Sequence, residues 1–385
     1  MPDLTHAERI RQNLPATTAS VYLNTGTFGP LPSSAIQTMQ QHIQQELEIG
    51  RLGHETFERM GAAYDAARAG VAHLLGVDTD EIALTGSTGE GLNIICYGLH
   101  WQAGDEVITT NHEHFSLLAP LYQLRDRYGI VIRFADLGEY AERPALKAVA
   151  DLVTPRTRLI AISHVAWSTG ARLDISEVGS LGREHGIPVL IDGAQSAGAI
   201  PLDLHALGVD FYAIPGQKWL CGPDGTGALY ARNEALKSIT STYVGYWSAE
   251  DIHADWKLQS NARRFEAGGR QTAAIVAQAA ALNWIEETVG HPWLFERIAT
   301  LNAYASQALQ QVPGLQLLTP RPGESGLLAF VLEKKKSEEV VEYLQKQHRI
   351  FIRTIPDMNS MRISTGFYNT EEEIDLLVQA LTQYP

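Results

Sequence analysis

Cysteine is scarce in this chain: 385 residues hold two, Cys96 and Cys221. Neither belongs to a CxxC pair or to a cysteine/histidine spacing. That argues against a disulfide scaffold or a structural zinc, and no metal site is expected. Basic residues are also few, with 30 Lys and Arg against 44 Asp and Glu and a net charge of −14. Nucleic-acid and anionic-membrane partners need a basic face, so neither is expected. No apolar run approaches the roughly 18 residues of a membrane span. The segment Met1 to His6 shows no basic stretch followed by an apolar one. No secretory leader is expected from it, and the cytoplasm is the expected location.

What is present reads as an ordinary globular chain, 45% hydrophobic and 19% charged. Its length allows a large core and more than one domain. Between about residues 80 and 230, short apolar strands alternate with amphipathic helices, which predicts a mainly parallel α/β sheet covered on both faces. Strands are expected at 81–85, 106–110, 130–134, 159–163, 188–191 and 211–214. Helices are expected at 90–99 and 114–127, the second stopped by Gly129. Residues 33–76 read as mostly helical with glycine interruptions, and 272–287 as a helix. The region 301–385 mixes helices with short strands at 326–332 and 350–353, a smaller α/β unit joined near residue 280.

Three segments carry chemistry. Thr85-Gly-Ser-Thr-Gly-Glu-Gly91 sits between a predicted strand and a predicted helix, where free N–H groups and the helix dipole attract an anion. It is neither a Walker loop nor a GxGxxG fingerprint, and a plain helix cap explains it as well. Val189-Leu-Ile-Asp192 is an apolar strand ending on a carboxylate, and Phe211-Tyr-Ala-Ile leads to Lys218 through a Gly/Pro loop. Alone, Asp192 is an ordinary turn former and Lys218 an ordinary surface lysine. Together they suit pyridoxal phosphate, whose ring nitrogen wants an acidic partner and whose aldehyde wants an amine.

The order of these segments resembles the fold-type I pyridoxal-phosphate enzymes, specifically the class V aminotransferase group that includes cysteine desulfurases. The likeness runs from Tyr22-Leu-Asn-Thr-Gly-Thr-Phe-Gly-Pro-Leu-Pro32 to Tyr368-Asn-Thr-Glu-Glu-Glu-Ile374. Its most specific pieces are Asp192-Gly-Ala-Gln-Ser196, Lys218-Trp219 with Gly222-Pro223, and Arg264-Phe-Glu-Ala-Gly268. Within the group the chain is most similar to cyanobacterial cystine C–S lyases, through Ser163-His164, Trp167, Thr169-Gly170, Tyr243-Val-Gly245 and Ile352-Arg-Thr-Ile355.

The resemblance implies a seven-stranded, mainly parallel large domain over residues 18–280. A small domain would combine residues 1–17 with 281–385. It implies that Lys218 carries the cofactor aldehyde and then shuttles protons, and that Asp192 pairs with the ring nitrogen. Gln195 would bond the phenolic oxygen, and His114 would stack on the ring, although a histidine there also reads as a helix cap. Thr88, with Ser87 and Gly89, would hold the phosphate, aided by Gln217. Arg353 would bind the substrate carboxylate, which suits a bidentate guanidinium. Trp167 and Asn24 would face the substrate, and Tyr243 and Tyr246 would help choose it. The group is homodimeric, and residues 263–270 would be presented to the neighbour.

Departures from the group narrow the reaction. Gln217 stands where relatives carry His, Trp167 where they often have Asn, Gly89 at a phosphate-binding Thr, and Gly269 at a Thr lent across the dimer. Related desulfurases hold a mobile cysteine shortly after the position of Arg353, and residues 354–361 contain none. The expected function is therefore a C–S lyase that β-eliminates L-cystine or L-cysteine to pyruvate, ammonia and a (per)sulfide. An aminotransferase, an epimerase, a desulfurase using Cys221 and a non-catalytic pyridoxal-phosphate holder are the alternatives.

Overall fold

A computed structural model describes residues 5–251 and 256–385. Residues 1–4, on which the leader expectation partly falls, lie outside them. Seven strands form the central sheet: β1 (Ile82–Thr85), β2 (Glu106–Thr110), β3 (Val131–Ala135), β4 (Thr157–Ser163), β5 (Val189–Asp192), β6 (Phe211–Pro215) and β7 (Gly227–Ala231). Their spatial order is β1-β7-β6-β5-β4-β2-β3. The pairs β3/β2, β2/β4, β4/β5 and β5/β6 are parallel. Only β7 runs against its neighbours β6 and β1. The expected mainly parallel α/β sheet is thus present. β7 is the strand that local pattern reading does not find, because the lysine loop and a glycine-rich turn precede it and disguise its start.

Strands buried on both faces should read as continuous apolar runs, and these do. Leu159, Ala161, Leu190, Phe211 and Ala213 face one layer. Ile160, Ile162, Ile191, Tyr212 and Ile214 face the other. The 33–76 region is two helices, α1 (Ser33–Ile49) and α2 (His54–Leu75), separated at Gly50 and Gly53, both with positive φ. α3 (Thr88–Gly98) and α4 (Phe115–Tyr128) add Leu92, Ile95, Leu117 and Leu121 to the first layer. α2 and α5 (Ile175–His185) add Val71, Leu75 and Val178 to the second. Each fully buried aliphatic side chain contributes roughly 1.5–3 kcal/mol. Gly91 lets α3 lie directly on β6: a Cβ there would sit 2.9 Å from that of Ala213. The expected helix at 272–287 is α6 (Thr272–Trp284), continued by a π-turn over Ile285–Val289.

A second, antiparallel sheet holds β8 (Leu315–Leu317), β9 (Leu327–Leu332), β10 (Arg353–Ile355) and β11 (Ser360–Ser364), in the order β8-β9-β11-β10. Its core joins Leu328, Phe330, Met361 and Ile363 to Ile374 and Leu377, and it includes Leu23. The segment Val21–Tyr22 pairs in parallel with Ile350–Phe351. A further cluster of Ile10, Leu14, Trp219, Trp284, Phe367 and Tyr368 packs the N-terminal helix against the residue that follows Lys218. Among the described residues, no helix is long and apolar enough to cross a membrane.

Candidate active site

Parallel strands deliver their C-terminal ends to one edge of a sheet, and ligands bind there. β5 ends on Asp192, which is buried and accepts the Ala194 N–H at 2.9 Å. Burial pushes its carboxyl up, and the nearby Lys218 charge draws it back. The loop after β6 carries Lys218, whose amine burial pulls down to about 8; Asp192 opposes that shift, while Arg362 and Arg353 add to it. Ser163 pairs with Asp192, and Asp192 with Ala213, in adjacent strands.

His114 stands between a helix start and the Lys218 cluster. It is the N-cap of α4, with Nδ1 accepting the Ser116 N–H at 3.1 Å. It also faces the cluster: burial, then the charges of Lys218, Arg353 and Arg362, hold its ring down at about 4 and so neutral. It meets Trp167 in a T-shaped contact, with ring centroids 5.2 Å apart and planes at 88°. The Arg353 guanidinium lies 5.5 Å from the Trp167 ring centroid, in cation–π range. Arg353 Nη1 also donates to Thr27 Oγ1 at 3.2 Å, and Thr27 donates to Asn24 Oδ1 at 2.8 Å. Contacts and charge effects thus link Lys218, Asp192, His114, Trp167, Arg353 and, through Thr27, Asn24 into one cluster.

Gln195 is engaged at both ends of its amide. Nε2 donates to the Gly26 carbonyl at 2.8 Å, and Oε1 accepts the Trp219 indole N–H at 3.1 Å. The 24–30 segment is fastened to the lysine loop as well. Gly29 donates its N–H to the Gln217 carbonyl at 2.8 Å, and a Cβ on Gly29 would lie 2.1 Å from the Lys218 carbonyl oxygen. Only glycine allows that approach. Gln217 Oε1 is buried without a partner.

The Thr85–Gly91 loop opens a capped helix, and an acidic side chain takes one of its N–H groups. Ser87 caps α3, accepting the Glu90 N–H at 3.1 Å, and Thr88 and Gly89 open the helix. The first-turn N–H groups of such a helix have no partners within it. The Glu90 carboxylate takes the Gly86 N–H at 2.7 Å and pairs with Arg270. Gly269 stands apart from the Lys218 cluster. Its nearest side chains are Trp247 and Tyr246, and with Glu90 and Arg270 it lines a separate cleft of about 700 Å³. Tyr243 and Tyr246 are exposed.

Two residues escaped the sequence reading. Arg362 lies opposite Arg353 in the β10/β11 register and is fully buried. Nη1 donates to the Trp167 carbonyl, while Nε and Nη2 have no partner. Burial and then the Arg353 charge pull it down to about 9. The available signal was a charge in the middle of the apolar run Met361-Arg-Ile363. Glu113 is the second. Its carboxyl, buried under β4, accepts from Ser163 Oγ and Thr110 Oγ1, both at 2.5 Å, and burial pushes it up to about 7.

The comparisons with known proteins agree with this geometry. The aminotransferase class-V family profile matches residues 21–377. The cysteine desulfurase CsdA of Escherichia coli (strain K12) is 30% identical over 385 residues, covering 94% of this chain and 93% of that protein. A probable cysteine desulfurase of Methanothermobacter thermautotrophicus is 27% identical, covering 98% and 97%. Among solved structures, the cystine C–S lyase C-DES in complex with its reaction product cysteine persulfide matches with a TM-score of 0.91 and 30% identity, over 96% of this chain and 99% of that one. A lysine-to-alanine mutant of C-DES, with glycine covalently linked to its pyridoxal phosphate cofactor, matches with a TM-score of 0.92 and 29% identity over 100% of each chain. A strand-end aspartate, a loop lysine and a capped anion loop are therefore set in a frame shared over its full length, and the chain belongs to the class-V aminotransferase family.

Proposed function

We propose that the chain is a pyridoxal-phosphate-dependent carbon–sulfur lyase that β-eliminates L-cystine or L-cysteine. L-cystine and water would give pyruvate, ammonia and cysteine persulfide. The Cβ–S bond breaks with its electron pair leaving on sulfur, so no oxidant or reductant is required. The observation that carries this reading is the state of the two thiols. Cys96 and Cys221 are both fully buried, and burial pushes each up to about 12. A persulfide carrier must present a thiolate to the substrate sulfur and then to an acceptor. Neither cysteine is placed to do so, and β-elimination needs no protein thiol.

The residues present fit the cofactor: a buried carboxylate, an amine of depressed basicity, a neutral imidazole and a helix N-terminus. When bound, pyridoxal phosphate supplies a sink for the electron pair left on Cα as its proton departs. Asp192 would hold the proton on the ring nitrogen, and Ser87, Thr88 and Gly89 would receive the phosphate. His114, kept neutral, presents a flat face without adding charge. Lys218 takes the Cα proton, a task suited to an amine with a pKa close to the working pH. Arg362, with two unpaired N–H groups, and Arg353 would grip the substrate carboxylate.

A homodimer belongs to the proposal. Leu47, Leu52 and Phe57 of the α1–α2 hairpin are 77%, 88% and 61% exposed, and large apolar side chains gathered on one exposed hairpin suit a protein contact. A second copy would cover that face and bring its own residues beside Gly269, by the two-fold contact most common among homo-oligomers. Sedimentation at working concentration should return a dimer; a monomer would overturn this part.

Product analysis tests the reaction. Cofactor-loaded protein with L-cystine should yield pyruvate and ammonia in equal amounts, with a persulfide. Alanine with sulfur left on the protein would sink the lyase reading and make Cys221 the residue to explain.

A further inference from the structure

The edge of the sheet opposite the Lys218 cluster carries a group of side chains that the proposed reaction does not use. β1 runs from Ile82 to Thr85, with the single turn Thr79–Glu81 before it and the Ser87 loop after it. The two ends of that strand are roughly 10 Å apart at about 3.3 Å per residue. At the far end Asp78, Glu81 and His205 each offer one possible ligand atom, and these atoms lie within 4.8 Å of one another. His205 stands on the short helix Leu204–Leu207, 124 residues beyond Glu81. The local spacings behind the expectation of no metal site therefore do not reveal the set.

Glu81 is fixed in place by the backbone. Its buried carboxylate accepts the Asn233 N–H on Oε1 and the Asp78 N–H on Oε2, both at 3.3 Å. Among the described residues its ion-pair partner is His205, with Nε2 2.6 Å from Oε2. The charges of Asp78 and Asp203 act on the same imidazole. Carboxylates thus gather around one titratable cation, and carboxylate oxygen with imidazole nitrogen is a donor set that Zn²⁺ accepts. Bonds of about 2.0–2.2 Å set the ligand atoms of a tetrahedral ion about 3.4 Å apart, so side-chain shifts of about an ångström close the set around one. Asp78 and His205 are exposed and free to make them.

A neighbouring hydroxyl points to the same place. Tyr230 lies opposite Ile82 in the β1/β7 register and is fully buried, yet its hydroxyl has no partner in the protein. Its ring centroid is 6.5 Å from that of His205, and after burial the Glu81 charge is the strongest influence on the hydroxyl. Buried hydroxyls rarely go unpartnered. A water completing the coordination of an ion would give this one its bond.

We propose that Asp78, Glu81 and His205 bind a divalent metal ion of the zinc class, with a water in the fourth position held by Tyr230. The ion ties the segment before β1 to the helix between β5 and β6. Its place at the far end of β1 makes it a structural tie, independent of the C–S lyase reading.

Calorimetry with zinc chloride on the cofactor-loaded protein tests the site. Wild type should take up one equivalent there, and its melting temperature should rise with zinc by mass action. Tyr230→Phe should weaken that uptake about tenfold, the low end for losing an outer partner of a metal site. His205→Gln, at a half-exposed position, removes a ligand and should weaken it more. Without zinc, Tyr230→Phe should melt no lower than wild type, because it removes only an unpartnered hydroxyl. A lower melting temperature would show that hydroxyl bonded within the protein and overturn the proposal. So would a wild type that takes up no zinc, or undiminished uptake in either variant.

Discussion

Lys218→Ala should lower pyruvate formation from L-cystine by about 10³-fold or more while the protein stays folded. A positioned general base contributes roughly 10²–10⁴-fold, and no other described group beside Asp192 offers an amine. Burial is what fits this lysine for the task. At a pKa of about 8, roughly a quarter of it is neutral at pH 7.5, against about one part in a thousand for an ordinary lysine. Thermal melting should show the variant folded, and an added small primary amine should restore part of the lost rate. A structural lysine would not respond to such an amine. A variant keeping more than about a tenth of wild-type turnover would rule out Lys218 as the base.

Arg362→Met should cost nearly as much, for a different reason. This guanidinium is fully buried and faces Arg353 across the β10/β11 pair, and its Nε and Nη2 have no protein partner. Its affinity for a proton is depressed by burial and by Arg353, so the folded state bears that penalty in full at neutral pH. A substrate carboxylate would relieve it. Truncating one partner of such a desolvated pair costs about 2–5 kcal/mol, or roughly 30- to 4,000-fold in kcat/KM at 1.4 kcal/mol per factor of ten. The melting temperature of the substrate-free variant should hold or rise, because methionine fills similar space without a charge. Loss of kcat/KM smaller than about threefold would remove Arg362 from the binding site. A steep fall in melting temperature would mark it as a structural residue instead.

Much of the large unit is legible in the chain because its signals are local. Runs such as Val189-Leu-Ile and Phe211-Tyr-Ala-Ile name themselves as strands buried on both faces. A carboxylate or lysine just beyond such a run is carried to the active edge of a parallel sheet. The positive φ of Gly129 ends α4 as expected. β7 was missed although Pro223-Asp224-Gly225 before it is a turn signal, because the glycines on either side blur where the strand begins.

The arginine pair proposed to bind a carboxylate was half legible. Arg353 stands out after an apolar pair, whereas Arg362 reads as one charge among neighbours in a short strand. Only the β10/β11 register sets the two opposite each other. Gln195 was legible as a candidate for the cofactor oxygen, but not the bonds its amide makes to Gly26 and Trp219. Those partners lie 169 residues before it and 24 residues after it. Glu113 is similar: an acidic residue before His114 looks solvated until β4 buries it against Ser163.

By itself, then, the sequence determined the alternation of strands and helices and which reactive side chains stand at strand ends. Hydrophobic period and turn chemistry act over a few residues and need no partner to be read. Only the tertiary structure decided which charges lose their water and face one another. Desolvation and Coulomb coupling depend on segments far apart in the chain, and they turn Lys218, His114, Glu113 and Arg362 from ordinary ionisable residues into groups of altered basicity.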